Sequence, residues 1–128
     1  MIAFSVMRNL GLVPLQIDHR ELSPNTVLIT LSGAVMRGSE SQQVEDLVGQ
    51  LLGQGCRDFI FELSGVTRID STGIGRFISS FDKINQAGGR LHMAGATGHV
   101  RECFRVTRLD TVFPFYPDVE AARGAVSR

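Results

Sequence analysis

The sequence predicts an α/β domain: a mixed central β-sheet of four or five strands carrying about four helices. Three observations predict it. Two extended runs joined by a turn follow residue 14, and apolar strand-like runs then alternate with amphipathic runs that end in glycine. The third is size: 128 residues, 43% hydrophobic and 20% charged, match one globular domain rather than two. No repeat, low-complexity tract or linker divides the chain, so residues 14–128 read as a single domain and residues 1–13 as a lead-in.

Leu15, Ile17 and His19 alternate with Gln16, Asp18 and Arg20, the period of a strand, and Ser23-Pro24-Asn25 turns the chain into Thr26-Val27-Leu28-Ile29-Thr30-Leu31. That second run is rich in β-branched residues and almost wholly apolar, which predicts a strand buried on both faces, ended by Gly33. After a loop from Arg37 to Ser41, Val44, Leu47, Val48, Leu51 and Leu52 recur at helical steps until Gly53 and Gly55. Asp58 to Leu63 predicts a short buried strand, with Ser64 to Ile69 leading on to Asp70. Ile74, Phe77, Ile78, Phe81 and Ile84 form the inward stripe of a second helix closed by Gly88-Gly89. Arg90 to Ala94 predicts a strand, and Gly98 to about Val106 a third helix with Val100, Cys103, Phe104 and Leu109 inward. Val112 to Phe115 is a last extended piece that Pro114 places at an edge. Pro117-Asp118 opens a final short helix through Ala122, its carboxylate at the positive end. The phenylalanines are mostly core by this periodicity, while Phe115 and Tyr116, between two prolines, are a candidate exposed contact.

Thirteen Lys and Arg balance thirteen Asp and Glu, so no net field draws the chain to nucleic acid or to an anionic membrane. Arg101, Arg105 and Arg108 fall on one side of the third helix with Glu102 and Asp110 as counter-charges. They read as a solvated face in preference to a nucleic-acid site, and an acidic protein surface or self-association into a weak homodimer are the other uses for such a patch. The first thirteen residues are apolar but interrupted by Arg8 and Asn9, with no basic residue ahead. They fall short of the roughly 18 to 20 apolar residues of a spanning helix. Direct membrane contact is therefore not expected, and the setting is read as cytoplasmic. Two cysteines, Cys56 and Cys103, are too few for a stapled scaffold and fit a reducing compartment.

The most informative segment is Ile69-Asp70-Ser71-Thr72-Gly73-Ile74-Gly75, a strand-to-helix junction of the kind where α/β domains keep their sites. Gly73 and Gly75 leave the first turn bare to another molecule, and Ser71 or Thr72 is positioned to cap the helix. Capping alone is a sufficient structural explanation of such residues. A phosphate on Ser71 would be tolerated by the helix amides yet would place about −1.5 to −2 charge beside Asp70. The fold would survive and a docked partner would not, the property a reversible switch needs.

Together with Phe59-Ile60-Phe61-Glu62-Leu63-Ser64-Gly65-Val66 before it and Ala87-Gly88-Gly89-Arg90-Leu91 after it, this run resembles the STAS domain of bacterial anti-sigma factor antagonists, over roughly Leu15 to Ala125. The resemblance implies a STAS-like, non-enzymatic protein that binds an anti-sigma factor serine kinase of the histidine-kinase-like ATPase class and so frees a sigma factor. It further implies that the partner phosphorylates Ser71 with its own ATP, aided by Asp70, and that a PP2C-type phosphatase reverses this. Contacts would come from Asp70, Ser71, Thr72, Gly73, Ile74, Gly75 and Arg76, and from the loop at Met36 and Arg37. Many members carry an acidic residue in that loop. Here Met36 and Arg37 stand there, leaving Arg37, Ser39 or Glu40 to remake the contact. The alternative within the family is a scaffold or accessory subunit of a stress-signalling complex or of a lipid ABC transporter.

Other chemistries find less support. A serine hydrolase elbow needs Gly-x-Ser-x-Gly, and Ile69 stands where the first glycine belongs. Of His19, His92 and His99, His99 at a helix start is the one expected near a site, but without a placed orienting acid no catalytic residue is assigned. The cysteines and histidines show no metal-ligand spacing, and no Walker loop or Gly-x-Gly-x-x-Gly follows a strand, so neither metal nor cofactor is expected.

Overall fold

The computed structural model describes residues 14–126; the expected lead-in at residues 1–13 lies outside them. Strands β1 (Gln16–Ser23) and β2 (Thr26–Val35) form the hairpin, antiparallel across the Pro24-Asn25 turn. The Asn25 carbonyl accepts hydrogen bonds from the Arg57 and Asp58 amides at 3.1 and 3.0 Å, which pins that turn to the start of the next strand.

From β3 onward each strand runs parallel to the one before it. Helix α1 (Ser39–Gly53) leads to β3 (Asp58–Ile69), α2 (Ser71–Gln86) to β4 (Arg90–Ala94), and α3 (Gly98–Val106) with a 3-10 turn (Leu109–Thr111) to β5 (Phe115–Tyr116). The strands lie in sequence order, β1-β2-β3-β4-β5. Right-handed crossovers that always step the same way place their helices on one face. The main core accordingly joins that face to α1, α2 and α3, and the other face is left to α4 (Val119–Val126).

Strand alternation sorts the side chains between these layers. Val27, Ile29, Leu31, Phe59, Phe61 and Leu63 belong to the main core, whereas Leu28, Ile60 and Ala94 meet Ala122 of α4. A chain of edge-on rings runs through the main core: Phe61 to Phe77 and Phe77 to Phe104, each with centroids 5.5 Å apart.

Several boundaries differ from the sequence expectation. β2 continues past Gly33 to Val35, and β3 past Leu63 to Ile69. Two register shifts between these strands, at Thr30/Ser32 and Gly33/Ala34, break the alternation, so the buried residues Leu63, Val66 and Ile69 come at steps of three. Gly33, at φ 89, sits within that bulged stretch instead of ending the strand. β1 runs on to Ser23, and β5 holds only Phe115 and Tyr116, beyond Pro114, at the sheet edge. The last helix begins later and extends further than expected, with Asp118 Oδ1 accepting from the Ala121 amide at 2.9 Å at its start.

Phe115 and Tyr116 are half-buried instead of forming an exposed contact. Phe115 packs against Phe104, and Tyr116 against His92. The inward line of α2 is Gly73, Phe77, Ser80 and Ile84, two small residues that let the helix sit close; Ile78 is 39% exposed. Cys103 and Leu109 only half-bury at the margin of the core.

This placement of α2 predicts unequal losses at adjacent positions. Phe77→Ala should lower the unfolding free energy by about 3–5 kcal/mol, whereas Ile78→Ala should lower it by less than about 1 kcal/mol. Denaturant unfolding of the two variants measures the difference, and comparable losses would contradict the rotation of the helix described here.

Candidate functional site

Val35 at the end of β2 pairs with Ile69 at the end of β3, so the two strands deliver their following segments side by side. Asp70 joins those segments. Its backbone is extended (φ −117, ψ −175), the geometry of a helix N-cap, and its Oδ1 accepts from the Gly73 amide at 2.8 Å. Its Oδ2 accepts from the Arg37 amide at 3.0 Å, and its own amide donates to the Val35 carbonyl at 3.4 Å. Burial pushes this carboxyl up, but amide hydrogen bonds from Gly73, Arg37 and Thr72 outweigh that and hold it below the usual range. The cap is thus Asp70, not Ser71 or Thr72. An acceptor one residue earlier reaches the same amide with a charge, and the helix starts at Ser71.

Ser71 is exposed in the first helical position, with Thr72, Ile74, Gly75 and Arg76 half-buried around it. The two glycines of this turn have different jobs. Gly73 is buried, and a Cβ there would stand 2.0 Å from the Val35 carbonyl oxygen. It permits close packing of helix on strand and is not the bare surface expected from sequence. Gly75 has open space where its Cβ would be, so it alone leaves the turn bare.

Arg76 turns toward α1. Its Nη1 lies 3.1 Å from Oε2 of Glu45, which is buried, and its Nε donates to the Ser41 hydroxyl at 3.3 Å. It braces one helix against the other and leaves a buried carboxylate paired. Of the loop residues, Met36 is half-buried and the Arg37 side chain is exposed.

Of the second wall of the site, sequence reading anticipated only His99. A groove of about 410 Å³ runs between α2 and α3, lined on one side by Ile69, Asp70, Ser71 and Ile74 and on the other by His99, Cys103 and Val106. Val106 is 65% exposed. The signal was the spacing His99, Cys103, Val106, one face of a helix whose buried residues are Val100 and Phe104.

Asp70 commits both oxygens to backbone amides, and His99 makes its side-chain contact with Cys103, Nε2 to Sγ 3.6 Å. Among the described residues no three metal-ligating side chains cluster, and no helix is long and apolar enough to cross a membrane. Both cysteines are free thiols. The arginines of α3 have local partners: Arg101 lies over the Phe115 ring at 4.3 Å and 3.8 Å from Asp110, and Arg105 pairs with Glu102. Arg108 adopts a left-handed turn, φ 61.

The family model described as the STAS domain matches residues 19–122. An anti-sigma-B factor antagonist of Staphylococcus aureus is 28% identical over 67 residues, which are 52% of this chain and 62% of that protein. The chain therefore spans less than two thirds of the curated relatives it matches. Among solved structures, an anti-sigma factor antagonist from Mycobacterium paratuberculosis superposes with a TM-score of 0.75 at 20% identity, covering 90% of this chain and 96% of the other. The antagonist SpoIIAA in its unphosphorylated form gives 0.75 at 18% identity, covering 88% and 98%, and Bacillus SpoIIAA in its phosphorylated form gives 0.69 at 17%, covering 86% and 99%. At these identities the likeness establishes the fold.

Two outcomes follow from the geometry. Gly73→Ala should destabilise by about 1–3 kcal/mol, since the Val35 carbonyl must move, whereas Gly75→Ala should stabilise by up to about 1 kcal/mol; thermal melts of the pair distinguish them. Asp70→Ala should lose about 1–2 kcal/mol near neutral pH. Because the folded state holds Asp70 below its unfolded value of roughly 3.9, the stabilisation is present above that value and fades as pH falls through the folded one. The stability gap between wild type and Asp70→Ala, followed by denaturation at descending pH, should therefore narrow in acid, and a gap constant with pH would exclude an ionised cap.

Proposed function

The chain belongs to the STAS domain family, and from that premise we propose that it is an anti-sigma factor antagonist whose binding to an anti-sigma factor serine kinase is switched off by phosphorylation at Ser71. The partner is of the histidine-kinase-like ATPase class and supplies the ATP; a PP2C-type phosphatase resets the switch. The protein itself is a cytoplasmic binding module, without catalytic residues of its own. The S. aureus relative is named for antagonism of an anti-sigma-B factor, and SpoIIAA has been seen both with and without its phosphate.

One observation carries this reading: Ser71 is exposed at the start of α2 while Asp70 caps the helix. Its hydroxyl is not required for the fold. A phosphate there would be met by helix amides and dipole, so the domain would keep its structure. The surface would nevertheless gain about −1.5 to −2 charge and the bulk of a phosphoryl group at the turn that Gly75 leaves open. The partner's contacts are then Asp70, Ser71, Thr72, Ile74 and Gly75 with Met36 and Arg37, while Gly73 and Arg76 support them from beneath.

The exposed Arg37, in a loop where many members are acidic, favours a second reading as a scaffold subunit of a stress-signalling complex or lipid transporter. The two separate in one experiment. Wild type, Ser71→Ala and Ser71→Asp are incubated with candidate cognate kinases and ATP, phosphate is located by mass spectrometry, and binding is measured. All three should unfold within about 0.5 kcal/mol of one another. Ser71→Ala should bind and resist inactivation, and Ser71→Asp should bind at least about tenfold more weakly, a loss of about 1.4 kcal/mol. Equal binding by all three to the regulatory partner would refute the switch and leave the scaffold reading.

A further inference from the structure

Cys103 and His99 face each other one turn apart on α3, with Sγ 3.6 Å from Nε2, and both line the groove whose opposite wall carries Ser71. We infer that Cys103 is a thiol-modification site for a small uncharged disulfide, and that the mixed disulfide it forms lies in this groove against Ser71.

Nucleophilic thiol chemistry needs a proton acceptor, access and room for the product. The imidazole of His99 supplies the first. Cys103 is half-buried at the margin of the core, not sealed within it, and the groove measures about 410 Å³ between the apolar walls of Ile69, Ile74 and Val106. The same chain contains its own control. Cys56 is 2% exposed, and burial, with Glu21 adding to it, pushes its thiol up. An uncharged reagent is specified because Asp70 and Glu102 also line the groove and disfavour an anionic one.

In the reaction, His99 Nε2 takes the Cys103 proton and the thiolate attacks one sulfur of the disulfide. A Cys103 S–S bond forms as the original S–S bond breaks. The departing thiolate takes the proton from His99, so one half of the reagent leaves as a thiol and no other oxidant is needed. The consequence for signalling rests on the assignment of Ser71 above: an adduct in the groove stands beside Ser71 and hinders phosphoryl transfer until a thiol reductant removes it.

The whole protein, folded and at neutral pH, is treated with hydroxyethyl disulfide and mapped by peptide mass spectrometry. The adduct should appear on Cys103 and not on Cys56, be absent in Cys103→Ser, and form several-fold more slowly in His99→Gln with an unchanged melting temperature. No adduct on Cys103, equal modification of Cys56, or an undiminished rate in His99→Gln overturns the inference. With a kinase that phosphorylates the reduced protein, the adduct should slow phosphorylation of Ser71 and dithiothreitol should restore it; an unchanged rate overturns the coupling. A reduced protein that no kinase phosphorylates counts against the Ser71 assignment alone, because the Cys103 mass shift is read without a kinase.

Discussion

The carboxylate of Asp70 holds three segments of backbone in one place. Its two oxygens take amides from Arg37, in the connection after β2, and Gly73, in the first turn of α2, while its own amide meets the end of β2. Hydrogen bonds to an ionised acceptor are the stronger kind, and these satisfy donors that a loop and a helix start would otherwise leave unpaired. The parallel pairing of Val35 with Ile69 brings the two connections together, and Asp70 fixes them there. The candidate site is consequently at the carboxyl ends of adjacent parallel strands, where open α/β sheets commonly bind ligands.

That single bridge divides the work among its neighbours. With the helix capped by Asp70, the Ser71 side chain is relieved of a structural role. With Gly73 pressed on the Val35 carbonyl and Arg76 paired to Glu45, the helix start is held from beneath against both the sheet and α1. What remains on the outside is small and polar: Ser71, Thr72 and the open flank of Gly75. A surface of that kind is shaped by its support, not by its own packing, and it can be altered chemically at little cost to the domain.

Much of this was legible in the sequence because it rests on local patterns. The apolar steps of α1 and the alternation through Thr26 to Leu31 and Asp58 to Leu63 each identify an element without knowledge of its neighbours. The expectation failed where a neighbour decides. The length of β3 depends on bulges in its register with β2, the exposure of Ile78 on how closely α2 lies against the sheet, and the burial of Gly73 on the position of one carbonyl across a strand. Which of Asp70, Ser71 and Thr72 caps the helix is likewise settled by distances between backbone atoms, since all three residue types are good caps. The groove was only partly legible for a related reason: its second wall comes from α3, nearly thirty residues away, and no periodicity in α2 announces it.

The electrostatics of the groove bear on why a phosphate at Ser71 would act on recognition more than on folding. Among the described residues no lysine or arginine lines the groove, whereas Asp70 and Glu102 do, and the nearby Arg101 and Arg105 already have Asp110 and Glu102 as partners. Within the groove lining only helix amides are placed to offset the added charge. In the free protein water does the rest, because Ser71 is exposed and the phosphate would stay hydrated. A partner that covered this turn would have to strip that water from a group that no lysine or arginine of the groove lining pairs. The penalty therefore falls on the complex and is absent from the isolated domain, and a partner lacking a positive group opposite Ser71 has no means of recovering it.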